Sequence, residues 1–571
     1  MKQKSPHRQE LRLLVISLAL IVLGSFFAML FNTSFFSVQV KEITFTTERG
    51  TLSALLYLPK GAGADDPRPV VVTTHGYLNT KEMQDAPAIE MSRRGYVVLD
   101  LDMYDHGDSR WDADIPVGTQ FGTFWIYSVS DAANWAAQQP FTKKDDAGNS
   151  YISVSGHSMG GFSSLVALYM DEMQALQTGK RNIYAGIAAG ADFSYAAAVA
   201  PQDQYQAAFG SRTVGILAGH YDEFFFNKSA EEKTAEEQKI TGTVTYKDFV
   251  STNSGKAFLG FAADGSPVAG QFYKVDSGEV KLDGNAVRAT QSGERVVYTP
   301  NQTHPWNHFS KTATADLITF YTHAFDGVTA PSQTNWNLAA DNQIWMFKEL
   351  FNFVALIGFF LLFVPLISLL LKLPFLKRAV VEATDPLPQA KTSAGKTAGW
   401  LAMLISAALP ALLFARLMDK TDAGLVPLWI TALFVVAAGA IAALVGRKNG
   451  DKQFVKGGLW FGGVGLVLFA VLRFGGSILS LSPVFSEPTV NQIAYWALVS
   501  GLVAALLLIG FYYVGNRPAG VQFGQYGITR SLPVIGASIA AALAAVVLGY
   551  GLLFGIQAVF GVDFRIWTLA V

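Results

Sequence analysis

The 571-residue sequence contains no cysteine, and only 15% of its residues are charged. The absence of cysteine excludes disulfides, thiolate metal ligands and thiol nucleophiles. With 51% hydrophobic residues and a net charge of −1, the chain is neither a disordered protein nor a strongly basic nucleic-acid-binding protein. Soluble domains carry about 25% charged residues. The sequence is therefore either apolar throughout or divided into segments of different kinds.

The charge is distributed unevenly along the chain. Residues 1–350 have a net charge of −9, whereas residues 351–571 have a net charge of +8 and contain far fewer charged residues. Buried core helices are usually short and amphipathic, and an apolar run of about 20 residues spans a bilayer. The second part therefore predicts an α-helical transmembrane domain of about six spans, at residues 350–371, 398–417, 425–446, 457–479, 493–515 and 533–556.

Another apolar run, Leu11–Phe31, follows a basic N-terminus. A cleaved signal peptide has a shorter apolar core and a small-residue cleavage site, so we predict an uncleaved signal-anchor helix. If the N-terminus is cytoplasmic, fifteen Lys and Arg residues flank the predicted spans on the cytoplasmic side and two flank them on the other side. Because Lys and Arg are retained in the cytoplasm, we expect a multi-pass protein of the plasma membrane with its polar part outside the cytoplasm.

The polar part alternates short β-rich runs with longer helical ones. This pattern predicts an α/β fold with a mainly parallel sheet and helices on both faces. We therefore expect a cytoplasmic N-terminus and signal anchor at 1–37, an extracytoplasmic α/β domain at 38–330, a linker at 331–349 and a polytopic transmembrane domain at 350–571.

The sequence Gly156-His157-Ser158-Met159-Gly160 lies between an apolar strand candidate and an apolar helix candidate. Glycines around a serine in this context permit the strained turn of a nucleophile elbow, which lifts the hydroxyl above the sheet. The N-terminus of the following helix aims the backbone N–H of Met159 at a developing oxyanion. Ser158 is therefore the candidate nucleophile.

Two further landmarks precede this motif in the sequence. His75-Gly76-Tyr77 follows one strand candidate, and residues 102–109 (DMYDHGDS) follow the next. Together with the elbow they resemble the α/β-hydrolase superfamily, nearest to its dienelactone-hydrolase-like and prolyl-peptidase-like members, over residues 38–328. The resemblance implies the α/β-hydrolase fold, a second oxyanion donor at the backbone N–H of Tyr77 and a structural turn at 102–109. In that turn Asp105 replaces the first glycine of the family pattern.

A serine hydroxyl needs an adjacent base, and the base needs an orienting acid. In this fold the order along the chain is Ser, then Asp or Glu, then His. Asp222 follows a strand candidate at the position of the acid, with Glu223 and Asp192 as alternatives. His304 follows the last strand candidate at the position of the base, with His308 as the alternative.

These residues predict a serine hydrolase that cleaves an ester, thioester or amide through an acyl-enzyme. We expect no cofactor, no metal and no nucleic acid, and as partners a small-molecule or lipid-like acyl substrate and the lipid bilayer. A serine peptidase would use the same triad. A transporter or receptor with a ligand-binding hydrolase-like domain is a third hypothesis, although such a domain has no need of all three residues.

Three segments are open to more than one interpretation. Residues 223–294 form either a lid over the site or a surface excursion with a small hairpin. The C-terminal spans serve as an anchor, as a route for a lipid substrate or in transport. Residues 562–571 are either an interfacial segment or the start of a further helix.

Overall fold

The structure is a computed structural model that describes residues 6–115, 120–193, 208–379, 426–478 and 532–563, apart from gaps of one to four residues between 223 and 290 and at 449 and 451. The chain divides into two compact units. The first comprises residues 1–366 with 546–571, and the second comprises residues 367–545. The spans expected at 398–417 and 493–515, and most of the C-terminal segment 562–571, lie outside the described residues.

Ten strands of the first unit form one sheet in the order β1-β2-β4-β3-β6-β7-β8-β12-β9, with β5 paired to β2. The strands from β4 to β12 along this order are all parallel, whereas β1, β2, β5 and β9 pair antiparallel. The expected mixed α/β fold with a mostly parallel sheet is therefore confirmed. The strands are β1 (Val38–Thr47), β2 (Gly50–Pro59), β3 (Val70–Thr74), β4 (Val97–Leu101), β5 (Arg110–Trp111), β6 (Ile152–His157), β7 (Ala185–Ala189), β8 (Thr213–Leu217), β9 (Tyr273–Asp276), β10 (Val280–Leu282), β11 (Asn285–Arg288) and β12 (Ser292–Tyr298).

Helices cover both faces of this sheet, and its central strands β3, β4 and β6 are buried along their whole length. In β3, Val70 and Val72 belong to one buried core and Val71 to the other, as the alternation of side chains along a strand requires. Helices α3 and α4 fill the first core, and α2 and α6 fill the second. The helices of this layer are α2 (Asp85–Arg93), α3 (Gln120–Ala137), α4 (Met159–Thr178), α5 (Asn253–Phe258) and α6 (Lys311–Ala324).

The segment 223–294 contains both the hairpin and an edge strand of the main sheet. Strands β10 and β11 pair with each other as a two-stranded sheet. Strand β9 pairs antiparallel with β12 at the edge. The segment thus contains the small hairpin that the surface-excursion interpretation expects.

Seven spans were expected over the whole chain, two of which lie outside the described residues. In the described part, three helices are long and apolar enough to cross a membrane. The runs expected at 425–446 and 457–479 also form helices, in which the described apolar segment is Gly458–Val471. The remaining helices are α1 (Pro6–Asn32), α7 (Trp345–Leu370), α8 (Val426–Lys448), α9 (Lys452–Ile478) and α10 (Leu532–Phe560), and the three candidates lie in α1, α7 and α10.

Candidate active site

Ser158 occupies the sharp turn between β6 and α4. Its φ of 56° and ψ of −116° lie outside the regions that a residue with a side chain ordinarily adopts, and such strain is concentrated at functional sites. A Cβ on Gly156 would clash with the backbone of Gly160, and a Cβ on Gly160 would clash with the carbonyl oxygen of His75. Both glycines are therefore required by the close approach of backbone segments around the serine.

Two backbone segments lie beside Ser158. Met159 is the first residue of α4, so its N–H has no partner within the helix and lies at the positive end of the helix dipole. A Cβ on Gly76 would lie 3.2 Å from the Cβ of Ser158, so the loop residue before Tyr77 passes directly against the serine.

Two histidines hold this loop in place. The Nε2 atom of His75 accepts a hydrogen bond from the N–H of Met103 (3.0 Å), and its Nδ1 atom donates to the Gly76 carbonyl (2.6 Å). Burial lowers the pKa of His75 to about 4, so its imidazole is neutral at pH 7 and can accept in this way. His106 accepts from the N–H of Leu78 (3.2 Å). Sequence reasoning missed this role of His106, because only the fold brings the two segments together.

The turn at residues 102–109 is built around the buried carboxylate of Asp102. This carboxylate accepts hydrogen bonds from the backbone N–H of Lys81 and from its Nζ (both 2.7 Å), and from the N–H of Asp108 (3.0 Å). Asp105 has a φ of 58° and Gly107 a φ of 51°, a region that glycine adopts most easily. Asp105 therefore adopts a left-handed conformation at the position where the resemblance to the superfamily leads us to expect a glycine.

Asp222 and His304 are joined by a hydrogen bond between Oδ2 and Nδ1 of 2.6 Å. Asp222 is completely buried, and its Oδ1 accepts from the backbone N–H groups of Phe224 (3.0 Å) and Phe225 (3.3 Å). A hydrogen bond from Nδ1–H to the carboxylate leaves Nε2 as the ring nitrogen that can accept. The predicted acid and base are thus in contact.

The alternative acid and base have other hydrogen-bond partners. Asp192 is hydrogen-bonded to the hydroxyl of Ser254 (3.3 Å). His308 donates from Nδ1 to the carbonyl of Met83 (3.0 Å), and burial lowers its pKa to about 3. Glu223 lies outside the described residues.

His304 is connected to the elbow through its neighbours. The N–H of Ser158 donates to the carbonyl of Ala189 (2.8 Å), and a Cβ on the next residue, Gly190, would lie 2.9 Å from Cε1 of His304. The Nε2 atom of His157 donates to the carbonyl of His304 (3.0 Å). No side-chain hydrogen bond of Ser158 occurs within the described residues. The three residues therefore lie at the same end of the sheet, where the parallel strands end, and the acid and base are hydrogen-bonded to each other.

The described residues contain no group of three His, Asp or Glu side chains that could hold a metal ion. The site brings to one region a serine hydroxyl, an imidazole bonded to a carboxylate and the backbone N–H of Met159.

No protein-family model matches the sequence, and no curated protein matches it. Part of the chain is similar to a hypothetical protein from Pseudomonas aeruginosa, with 23% identity over 28% of this chain and 45% of that chain and a TM-score of 0.22. It is similar to an esterase from the archaeon Pyrobaculum calidifontis, with 19% identity over 32% and 66% of the two chains and a TM-score of 0.23. It is also similar to a dienelactone hydrolase from Anabaena variabilis, with 17% identity over 33% and 76% and a TM-score of 0.24. The match thus spans less than half of the first of these proteins and about two thirds of the second.

Proposed function

We propose that residues 38–330 form an α/β-hydrolase domain, held in the membrane, that cleaves an ester, thioester or amide outside the cytoplasm by an acyl-enzyme mechanism. The observation that carries the proposal is the buried hydrogen bond of Asp222 with His304 at the sheet edge where Ser158 occupies a strained elbow. A structural histidine needs no such carboxylate partner next to a strained serine. The three residues together provide a nucleophile, a base and an orienting acid.

The reaction proceeds in two balanced steps. Nε2 of His304 takes the proton of the Ser158 hydroxyl while the oxygen attacks the substrate carbonyl carbon. The backbone N–H groups of Met159 and Tyr77 donate to the resulting oxyanion, and Asp222 stabilises the charged imidazole. The imidazolium then protonates the leaving alcohol, thiol or amine as its bond to carbon breaks. Water, deprotonated by His304, attacks the acyl-enzyme and releases the acid and free Ser158.

Replacing Ser158 by Ala tests this assignment. Labelling of the full-length protein by a fluorophosphonate probe should be abolished, and turnover of p-nitrophenyl esters should fall by at least about a thousandfold, because the acyl-enzyme cannot form. The matched control is Ser164→Ala. Ser164 is a buried serine of α4 that donates to the Gly160 carbonyl, and this variant keeps Ser158, so it should still be labelled. Undiminished labelling of the Ser158→Ala protein would contradict the proposal.

The same variant pair separates the ester and amide alternatives. Esters of graded acyl length and amino-acyl amides are supplied to the wild-type protein, and only turnover that Ser158→Ala removes is counted. Ester turnover without amide turnover supports the esterase, and the reverse result identifies a peptidase.

A further inference from the structure

Large apolar side chains surround the candidate active site. Within the described part of residues 38–330, five large apolar side chains are exposed, and four of them lie within two residues of Tyr77, Asp222 or His304. The ring centroid of Phe224 lies 4.9 Å from that of His304. Scattered exposed apolar residues are ordinary, but a cluster marks a binding surface. We call these four the apolar rim: Leu78 (67% exposed), Tyr221 (47%), Phe224 (44%) and Trp306 (57%).

Leu78 is held in the rim against its backbone preference. Its φ of 60° is the left-handed conformation, which is a strained one for a leucine. The hydrogen bond from its N–H to His106 keeps it there, with its side chain mostly in solvent. A strained apolar residue next to the oxyanion loop points to contact with a ligand rather than to packing.

The chain that enters the second membrane helix runs along α2. Arg94, directly after the end of α2, donates to the carbonyl of Ala339 (2.7 Å). Lys348, in the first turn of α7, forms a buried ion pair with Asp85, the first residue of α2. Residues 339–348 thus run from the C-terminal end of α2 to its N-terminal end.

A second contact also places this segment near the N-terminal end of a helix. The Nε2 atom of Gln343 donates to the carbonyl of Lys311 (2.9 Å), the first residue of α6. Both α2 and α6 begin just after a loop of the candidate site, since Tyr77 precedes α2 and His304 precedes α6. In a parallel sheet with helical connections these helix N-termini lie at the edge where the strands end. Helix α7 therefore leaves the domain at the edge that carries the candidate site.

Helix α1 accompanies α7 on this side. A Cβ on Gly24 would lie 2.7 Å from the backbone nitrogen of Ala355, and the Phe31 and Phe347 rings lie 5.1 Å apart. Both helices are candidate spans. The bilayer therefore begins on the side of the domain that carries the apolar rim, and Trp and Tyr are the residues that favour a membrane interface.

We propose that the apolar rim faces the bilayer and receives the acyl chain of a membrane lipid ester, which the site then hydrolyses. This inference rests on the proposed function. Ser158 attacks the ester carbonyl, the deacylated lipid leaves with the proton of His304, and water releases the fatty acid. The rim binds the apolar chain during its transfer out of the bilayer, so that the carbonyl reaches the oxyanion donors.

The test uses full-length protein in phosphatidylcholine vesicles with two esters of one leaving group. 4-Methylumbelliferyl oleate dissolves in the bilayer, and 4-methylumbelliferyl butyrate remains largely in water. The variant is Leu78→Asn with Trp306→Gln, because asparagine tolerates the left-handed conformation. We expect the ratio of oleate turnover to butyrate turnover to fall about tenfold, because two apolar contacts with the long acyl chain are lost. The control is Val268→Asn, which alters an exposed apolar residue outside the rim and should change neither rate.

The outcomes are distinguishable. Hydrolysis of butyrate but not of oleate by the wild-type protein would overturn the lipid assignment and leave the hydrolase intact. An equal fall of both rates in the rim variant would also overturn it, because the rim would then act on the site rather than on the acyl chain. If the wild-type protein hydrolyses neither ester and is not labelled by a fluorophosphonate at Ser158, the proposed function itself fails.

Discussion

Gly107 shows how a single missing side chain shapes the turn next to the oxyanion loop. A Cβ at this position would clash with the carboxylate of Asp102, which is buried and bonded to Lys81. The Asp102 carboxylate cannot move away from the added Cβ without disturbing that buried ion pair. We therefore expect Gly107→Ala to destabilise the protein by more than about 2 kcal/mol. The midpoint of thermal unfolding of the detergent-solubilised protein measures this effect.

Gly148 provides the matched control. It also has a left-handed φ, 84°, but a Cβ there would come no closer than 4.0 Å to any other side chain. Gly148→Ala should therefore show only the backbone cost, about 1 kcal/mol. Equal losses in the two variants would contradict the role of Asp102 as the obstacle.

At the residue scale, sequence reasoning is reliable where chemistry needs a fixed residue in a local context. Ser158 lies between a strand and a helix, and Asp222 and His304 each follow a strand, so their positions could be predicted from pattern and chain order. His106 could not be predicted, because its bond to Leu78 depends on two loops that only the fold brings together. The left-handed conformation of Asp105 could not be predicted either, because a residue with a side chain occupies a position typical of glycine.

At the scale of elements, the first two candidate spans, α1 and α7, pack through small residues. A Cβ on Gly24 of α1 would lie 2.7 Å from the backbone of α7, and a Cβ on Gly358 of α7 would lie 2.8 Å from the Ser17 carbonyl of α1. Such glycines allow helix backbones to approach closely within a bilayer. Replacing either by Leu should separate the helices and lower the thermal unfolding midpoint, because overpacking costs about 1–3 kcal/mol.

Gly551 of α10 is the control for these two variants. Among the described residues, a Cβ at Gly551 would meet nothing within 4 Å, so Gly551→Leu should leave the midpoint nearly unchanged. If Gly551→Leu were as damaging as Gly24→Leu, the loss would come from leucine itself and not from the α1–α7 contact. The measurement is the same heating experiment in detergent, in which unfolding is monitored by the loss of fluorophosphonate labelling.

The elements differ in how far the sequence predicts them. The central strands are short and mostly apolar runs, which the sequence pattern predicts. Strands β5 and β9 have only two and four residues, and β5 pairs with β2, from which β3 and β4 separate it along the chain. The path of residues 339–348 along α2 is equally invisible locally, because it depends on bonds between residues about 245 positions apart. Contacts between such distant residues produce no local pattern of apolar residues in the sequence.

At the scale of the whole molecule, the lack of cysteine in the chain becomes an experimental advantage. A single introduced cysteine is the only target for a maleimide, so it reports the side of the membrane on which it lies. Val268 is an exposed residue of the domain between α1 and α7, and Lys448 is an exposed residue at the end of α8. The distribution of Lys and Arg predicts that Val268 lies outside the cytoplasm and Lys448 inside it.

Val268→Cys should therefore react with a membrane-impermeant maleimide in intact cells that express the protein. Lys448→Cys should react only after the cells are permeabilised, and the wild-type protein should not react under either condition. The reverse pattern would place the hydrolase domain in the cytoplasm, where the apolar rim would face the inner leaflet. The rim would still adjoin the bilayer in that case, because α7 leaves the domain at the same edge in either orientation. The labelling pattern thus decides which leaflet supplies the substrate, independently of whether the site hydrolyses it.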